Sequence, residues 1–382
     1  MKVLHVFTII GTPKAFFDGQ FRYLSINGHE IHVVSDSPED IEFSRRNSIR
    51  YYQISIERKI NPFTDLSSIK DLIKLIKKEK YDIVVGHTPK GAMVAMIAAK
   101  IAGVNARIYY RHGLIYTTAK GFKRIILKTV EQFTAAFSTH IVNVSHSINK
   151  LAIKDHLNSD RKQNVIGAGT CGGIDTENVF NPELVSESEN KKLKELVGIP
   201  KDDFVVGFCG RICKEKGIRE LIDGFNRFIL TNPKSKLLLI GSFDNRDILP
   251  DKYKIEIESN PNIISTGRID KSKLPLYYSI MDVFVFPSYR EGFGMCVIEA
   301  SAMKIPILVS RSHGCVDSIR EHKTGEYVDI SPLGIMAGLE KMKNASFRKI
   351  LGEEGRKFVV DNFENKVMWP KILNMYNNVI KA

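Results

Sequence analysis

The 382-residue sequence has no apolar run approaching the roughly 18 consecutive residues that a membrane-spanning helix requires, so no spanning segment is expected. Cysteine is scarce and unpatterned. The five residues Cys171, Cys209, Cys213, Cys296 and Cys315 are odd in number and lack C-x-x-C spacing, which argues against zinc and dithiol motifs and fits a reduced, cytoplasmic protein. The opening MKVLHVFTIIG carries one lysine and a short apolar run, but it meets Thr12-Pro13-Lys14 without a small-residue cleavage site, and is read as a buried strand. Low-complexity segments and sequence repeats are missing. So are the P-loop pattern G-x-x-x-x-G-K-[ST] and a D-x-D pair after a strand, so no metal is expected. The formal net charge of +13 demands an acidic partner, such as nucleic acid, an anionic membrane surface or a phosphate-rich substrate. Zinc spacing, a helix-turn-helix and RRM-like aromatics are all absent, so specific nucleic-acid binding is the weaker reading.

What is present is a rhythm. KVLHVFTI, EIHVVS, YDIVVGH, ARIYYRHG and THIVNVS read as strands separated by helix-like stretches, the pattern of a parallel α/β sheet covered on both faces. Between Ile174 and Pro200 the rhythm lapses into a polar stretch with two prolines. It restarts with FVVGFCG, KLLLIGS, NIISTG, DVFVFPS, IPILVS and the short edge element GEYVDI. The expected organisation is a Rossmann-like domain at 1–173, a linker at 174–200 and a second Rossmann-like domain at 201–362. A terminal helix at 363–382 is expected to pack back on the first domain, with Pro370 starting or kinking it. Two doubly wound domains are expected to face a central cleft, with ligands at the carboxyl ends of the strands.

Several segments carry chemistry. GFCGRICKEKG follows a strong strand and supplies Arg211, Lys214, Lys216 and Gly217 before a helix, which suits a phosphate or equally a solvated basic loop. GAGTCGG at 167–173 contains a formal G-x-G-x-x-G. The stretch after it, IDTENVFNP, is too short and proline-limited for a crossover helix, so a flexible interdomain turn is favoured over a dinucleotide site. Gly11 lies between a strand and a helix, where backbone N–H groups suit an anion or a hydroxyl-rich substrate, or simply a tight turn. His87 and Lys90 follow one strand, and Arg111 and His112 end another; these four are cleft or acceptor candidates beside the structural alternative. In REGFGMCVIEA, residues 290–300, Glu291 and Glu299 are eight positions apart, which is off a common helical face. The intervening glycines leave Glu291 in a loop and Glu299 about one turn into a helix.

The E-x7-E spacing, the preceding strand and Pro-Ser, and EASAMKIPILVS after it resemble the donor site of retaining glycosyltransferases of family 4, which have GT-B architecture. GRICKEKG, STGRIDKSKLPLYYSIMDVFVFPS and EHKTGEYV are similar to that family's other segments in order and spacing, so the resemblance covers nearly the whole chain. HTPKGAMVAMIAAKIAGV and RHG are similar to bacterial enzymes that build capsule, O-antigen or lipid-linked glycans. The resemblance implies that Arg211 and Lys216 hold the donor diphosphate, that Glu299 accepts hydrogen bonds from the ribose hydroxyls, and that Glu291 contacts the transferred sugar. Phe293 and Gly294 would present backbone N–H groups, Met295 and Cys296 would continue that turn, and Arg268 would lie near the base. His112 would sit near the reacting sugar, and Gly11 corresponds to the first-loop glycine. Two departures stand out: the glycine often paired with Gly11 is missing, and Gly314 is followed by Cys315 and Asp317 where the family often has Gly-Gly and then Glu.

The implied activity is metal-independent, cofactor-free, retaining hexosyl transfer. A hexose or N-acetylhexosamine would pass from a nucleotide sugar, expected to be UDP-linked, to a polyprenyl-diphosphate-linked saccharide. Cations stabilise the nucleoside diphosphate as it leaves, and the departing phosphate takes the acceptor's proton, so neither glutamate need act as a base. The paired carboxylates also fit a glycosidase template, which the adjacent phosphate-type loop disfavours. A UDP-sugar epimerase of the same architecture is the rival reading. LIKLIKKEKYD and TTAKGFKRIILKTVEQF mix basic and apolar residues at helical spacing, which suits either an ordinary surface helix or one resting on anionic lipid at the inner face of the cell membrane.

Overall fold

The structure, a computed structural model, describes residues 1–57 and 61–380, and among these thirteen short strands carry the fold. The chain divides into two units, Met1–Gly173 with Asn365–Ala382, and Ile174–Glu364. In the first, β1 (Lys2–Val6), β2 (Glu30–Ser35), β3 (Ile49–Gln53), β4 (Ile83–His87), β5 (Ala106–Arg111), β6 (His140–Asn143) and β7 (Gln163–Val165) pair in parallel in the order β3-β2-β1-β4-β5-β6-β7. In the second, β8 (Phe204–Cys209), β9 (Ser235–Ile240), β10 (Ile263–Ser265), β11 (Val283–Phe286), β12 (Ile307–Ser310) and β13 (Glu326–Val328) run in the order β10-β9-β8-β11-β12-β13. Both sheets reverse strand order beside their first strand, between β1 and β4 and between β8 and β11. Diverging crossovers open a crevice there at the carboxyl ends, which is where Rossmann-like sheets take ligands.

The central strands are dominated by apolar residues because helices cover both faces; every residue of β4 is buried. The helix Ile218–Phe228 shows the matching pattern on the covering layer. Ile218, Leu221, Ile222, Phe225 and Phe228 recur at three- and four-residue steps and are all buried. Each such side chain contributes about 1.5–3 kcal/mol by leaving water.

Four expectations need correction. Residues 174–200 are an integral part of the second unit and not a linker. The Thr176 N–H donates to Glu364 Oε2 at 2.7 Å, and Arg356 donates to the carbonyls of Thr176 at 3.2 Å and Phe180 at 3.1 Å. A capping box at Ser186 and Glu189 then opens the helix Glu187–Leu196. These partners lie far along the chain, which is why the stretch looks unanchored when read locally. The final helix spans Asn365–Val379, beginning after the expected residue 363; of the two places expected for Pro370 the structure has the interior one and not the start, and the expected end at 381–382 falls outside the described residues.

The 167–173 turn is packed, not flexible: the Tyr110 hydroxyl donates to Cys171 O at 3.0 Å and Trp369 Nε1 donates to Gly172 O at 2.6 Å. Finally, Leu72, Leu75 and Ile76 of LIKLIKKEKYD are buried in the core, so that apolar face is used inside the first unit and not on a membrane. Among the described residues no helix is long and apolar enough to cross a membrane.

Candidate active site

Three loops meet at the carboxyl ends of β8, β11 and β12. After β8, residues 210–217 turn tightly into the helix Ile218–Phe228, and Gly217 has a φ of 70°. A Cβ there would collide with the carbonyl of Pro287 in the loop after β11, so this position is confined to glycine twice over. The loop after β12 presses from the other side. A Cβ on Gly314 would lie 2.6 Å from Gly292 O and 2.8 Å from Glu291 O. The departure from family pattern at Gly314-Cys315 therefore falls where the backbone of Glu291 is supported. Hydrogen bonds tie the loops together: Tyr289 N–H donates to Glu215 O at 2.9 Å, and the Ser310 hydroxyl donates to Ser288 O at 2.5 Å.

This crowding brings Lys216 against Glu291. Their side chains form a largely buried ion pair, with Lys216 Nζ also 5.5 Å from the centre of the Phe286 ring. Burial alone would lower the Lys216 pKa, but the charge and hydrogen bond of Glu291, helped by Glu215, outweigh it and hold the ammonium above its ordinary range. Arg211 is more open. It pairs with Asp244 and lies 3.4 Å from Glu215, which also accepts from Arg290 at 2.5 Å. Burial would raise the Asp244 pKa, yet the hydrogen bonds from Arg246 and Arg211 hold that carboxyl well below its usual range. Glu215, Asp244 and Arg290 were missed in the sequence. Asp244 had a signal, since it follows the end of β9 in GSFDNRD.

Gly294, with a φ of 78°, precedes the helix Met295–Ala302, and Glu299 lies one turn in, only 9% exposed. The Tyr278 hydroxyl donates to Glu299 Oε2 at 3.0 Å. Burial pushes the Glu299 pKa up, opposed by Lys271 and by the Tyr278 hydrogen bond. Phe293 is buried with its ring 5.1 Å from that of Phe363, so only its backbone is available to a ligand. Met295 and Cys296 are half-buried, and burial raises the Cys296 thiol well above its ordinary pKa. Arg268 is exposed just beyond β10 and has no side-chain partner among the described residues.

The first unit treats its candidates differently. Arg111 is fully buried, donating to Glu131 at 3.3 Å, Asn143 at 3.1 Å and Asn158 at 3.0 Å, and Lys90 is buried in an ion pair with Asp65. Both are occupied by the fold and neither is open to an acceptor. His87 is also fully buried. It bonds His5 Nδ1 through Nε2 at 2.9 Å and His112 Nε2 through Nδ1 at 3.0 Å. His112 Nδ1 lies 3.2 Å from Cys171 Sγ, and His5 Nε2 lies 3.4 Å from the Tyr376 hydroxyl. A neutral imidazole has one donor and one acceptor, so the three rings must share one direction of hydrogen bonding. Both nitrogens of His112 are engaged in this chain, which the sequence-based expectation of a sugar contact did not anticipate. Burial lowers the pKa of His5 to about 3 and of His112 to about 4, and lowers His87 well below the usual value. Gly11 opens a six-residue helix, Gly11–Phe16, beyond β1.

With this geometry established, known proteins give a consistent frame. Residues 5–146 match the family model described as Glycosyl transferase 4-like, and residues 189–358 the one described as Glycosyl transferases group 1. The chain is 33% identical over 387 residues to the capsular polysaccharide biosynthesis glycosyltransferase CapM of Staphylococcus aureus, covering 100% of this chain and 99% of the relative. It is 23% identical over 366 residues to the UDP-Gal:alpha-D-GlcNAc-diphosphoundecaprenol alpha-1,3-galactosyltransferase of Escherichia coli, covering 94% and 92%. The crystal structure of Anabaena HepE in complex with UDP-glucose superposes with a TM-score of 0.82 at 16% identity, covering 99% of this chain and 100% of that one. That last likeness speaks for the fold. Fold and sequence together define the class, a glycosyltransferase of GT-B architecture. Within it, the chain belongs to the family that joins a glycosyltransferase 4-like domain to a group 1 domain.

The histidine chain sets a pH dependence. Unfolded histidines titrate near 6.5, whereas burial holds His5 near 3, His112 near 4 and His87 well below the usual value, so below pH 6.5 the unfolded state binds more protons and stability falls with pH down to about 4. Trp369 is the only tryptophan and lies in the first unit, so its fluorescence reports that unit. The urea midpoint followed this way should drop steadily from pH 6.5 to 5; a flat midpoint over that window would contradict neutral, buried rings.

Proposed function

We propose that the second unit binds a UDP-sugar and that the enzyme transfers a hexose or N-acetylhexosamine, with retention, to a polyprenyl-diphosphate-linked saccharide in surface-glycan synthesis. The observation carrying this is the Lys216–Glu291 pair at the β8/β11 switch point, beside Arg211 and the turn that leads to Glu299. A buried ammonium at a strand end beside a helix start is suited to the charge that grows on a departing diphosphate. In this reading Lys216 exchanges its carboxylate partner for phosphate, and Arg211 provides the second cation without a metal. Glu291, released from Lys216, accepts hydrogen bonds from the sugar, while Glu299 accepts them from the ribose and Arg268 lies near the base. Backbone N–H groups of Phe293, Gly294, Met295 and Cys296 line the same turn, and Gly11 and His112 belong to the reacting side. The capsular polysaccharide enzyme of Staphylococcus aureus supports a role in surface-glycan synthesis, and the diphosphoundecaprenol-directed enzyme of Escherichia coli supports the choice of acceptor class.

The acceptor's lipid calls for a membrane surface. Phe122 at 75% and Ile125 at 62% exposure stand on the helix Gly121–Phe137 among Lys120, Lys123 and Arg124, which favours contact with anionic lipid at the inner face of the membrane.

The activity is tested by incubating the protein with UDP-sugars, with and without lipid-diphosphate saccharides. UDP release should require the acceptor; epimer formation from the donor alone would identify an epimerase instead. By calorimetry, Glu299→Ala should weaken UDP binding by about 10- to 100-fold, the scale of hydrogen bonds to a charged group. Glu291→Ala should change it by about threefold or less while lowering kcat by roughly 100-fold. Equal loss of UDP affinity in both variants would contradict this division. Phosphatidylglycerol vesicles at low salt should co-sediment the protein, and Phe122→Glu with Ile125→Glu should abolish this while leaving UDP binding intact; failure of the unaltered protein to co-sediment counts against the membrane reading.

A further inference from the structure

Tyr278 lies on the helix Leu274–Ser279 and is completely buried, its ring edge-on to Phe284 of β11 at 5.7 Å and tilted against Phe180 at 6.3 Å. Packing therefore fixes where its hydroxyl points, and it points at Glu299 Oε2, 3.0 Å away. Beside it lies Cys209 at the end of β8. Burial lifts the Cys209 thiol to about 12 and raises the Tyr278 phenol well above its ordinary value, so both keep their protons. The phenol therefore donates its proton to the carboxylate. We propose that Tyr278 is a positioning residue for the nucleotide's ribose: it holds Glu299 by Oε2 and leaves Oε1 to accept from the ribose diol. The inference rests on the reading of Glu299 as the ribose carboxylate.

A buried carboxylate without such a donor pays twice, once by losing orientation and once by favouring its neutral form. The charged or titratable groups around Glu299 are Tyr278 and Lys271 from the segment before β11, Cys209 from β8, and Cys296 from its own helix. Burial already raises the Glu299 pKa, and removing the phenol raises it further. UDP binding requires the ionised form, so in Tyr278→Phe the acid limb of binding should move to higher pH.

The test compares UDP with 2′,3′-dideoxy-UDP by calorimetry. At pH 7, Tyr278→Phe should weaken UDP by about tenfold, the scale of one hydrogen bond to a charged group, and change the dideoxy ligand by less than about twofold. Equal loss on both ligands would mean a merely structural role and would overturn the proposal, as would no loss on either. Glu299→Gln separates the two levels. If it binds UDP normally, the assignment of Glu299 itself fails; if it binds weakly while Tyr278→Phe matches the unaltered protein in affinity and acid limb, only the role of Tyr278 fails. Should Tyr278→Phe not fold, Cys209→Ala removes the thiol beside the phenol, and a twofold to threefold loss confined to UDP is expected; no selective loss would overturn the proposal.

Discussion

The candidate site depends on how closely three backbones approach one another. Lys216 and Glu291 lie 75 positions apart, and they meet only because Gly217 permits contact with Pro287 and Gly314 permits contact with Gly292. Larger residues at either glycine would separate the loops and leave an ammonium buried without its counter-charge. Such pairs seldom stabilise a fold, because desolvation of both ions offsets most of their attraction. On the proposed function, what this pair offers is readiness for a ligand. A lysine already desolvated and oriented needs little reorganisation when a phosphate oxygen takes the place of the carboxylate. Arg211, held by Asp244 and Glu215, is arranged in the same way at the more open edge.

The two units use the same strand order and fill their switch points with different matter. In the second, the carboxyl ends of β8 and β11 carry charged side chains in exchangeable pairs. In the first, the ends of β1 and β4 are closed by rings: His87 stacks on Phe7 at 4.1 Å, and Phe17 meets both. Neutral imidazoles linked nose to tail cannot take up a proton without breaking the chain, so this end presents polarity without charge.

Much of this was legible from the sequence, and the gaps share a cause. Long apolar strands announce themselves, whereas β3 (IRYYQ) and β7 (QNV) are short, half-exposed edges without a continuous apolar run. The Glu291 and Glu299 segment could be read because glycine punctuation and helix period are local properties. Glu215 and the histidine chain could not, because they arise from contacts between strand ends that are distant in sequence, whereas Asp244 gave the weaker signal of a carboxylate just past a strand end. The chain joins residues 5, 87, 112, 171 and 376. Arg111 and Lys90 illustrate the converse. A cation at a strand end looks functional until the fold supplies Glu131 or Asp65 as its buried partner.

The same distinction bears on what the paired glutamates do. A glycosidase needs one carboxyl that gives up a proton and another that attacks or activates water. Glu291 is bound to an ammonium, which occupies the lone pair a base would use. Glu299 has the raised pKa an acid would need, but it is buried against a phenol that already donates to it. Each carboxylate is placed to accept hydrogen bonds, and neither is placed to pass a proton. With Lys216 of the β8 loop bound to Glu291, the geometry favours gripping a ligand that brings its own leaving-group charge over cleaving one with water.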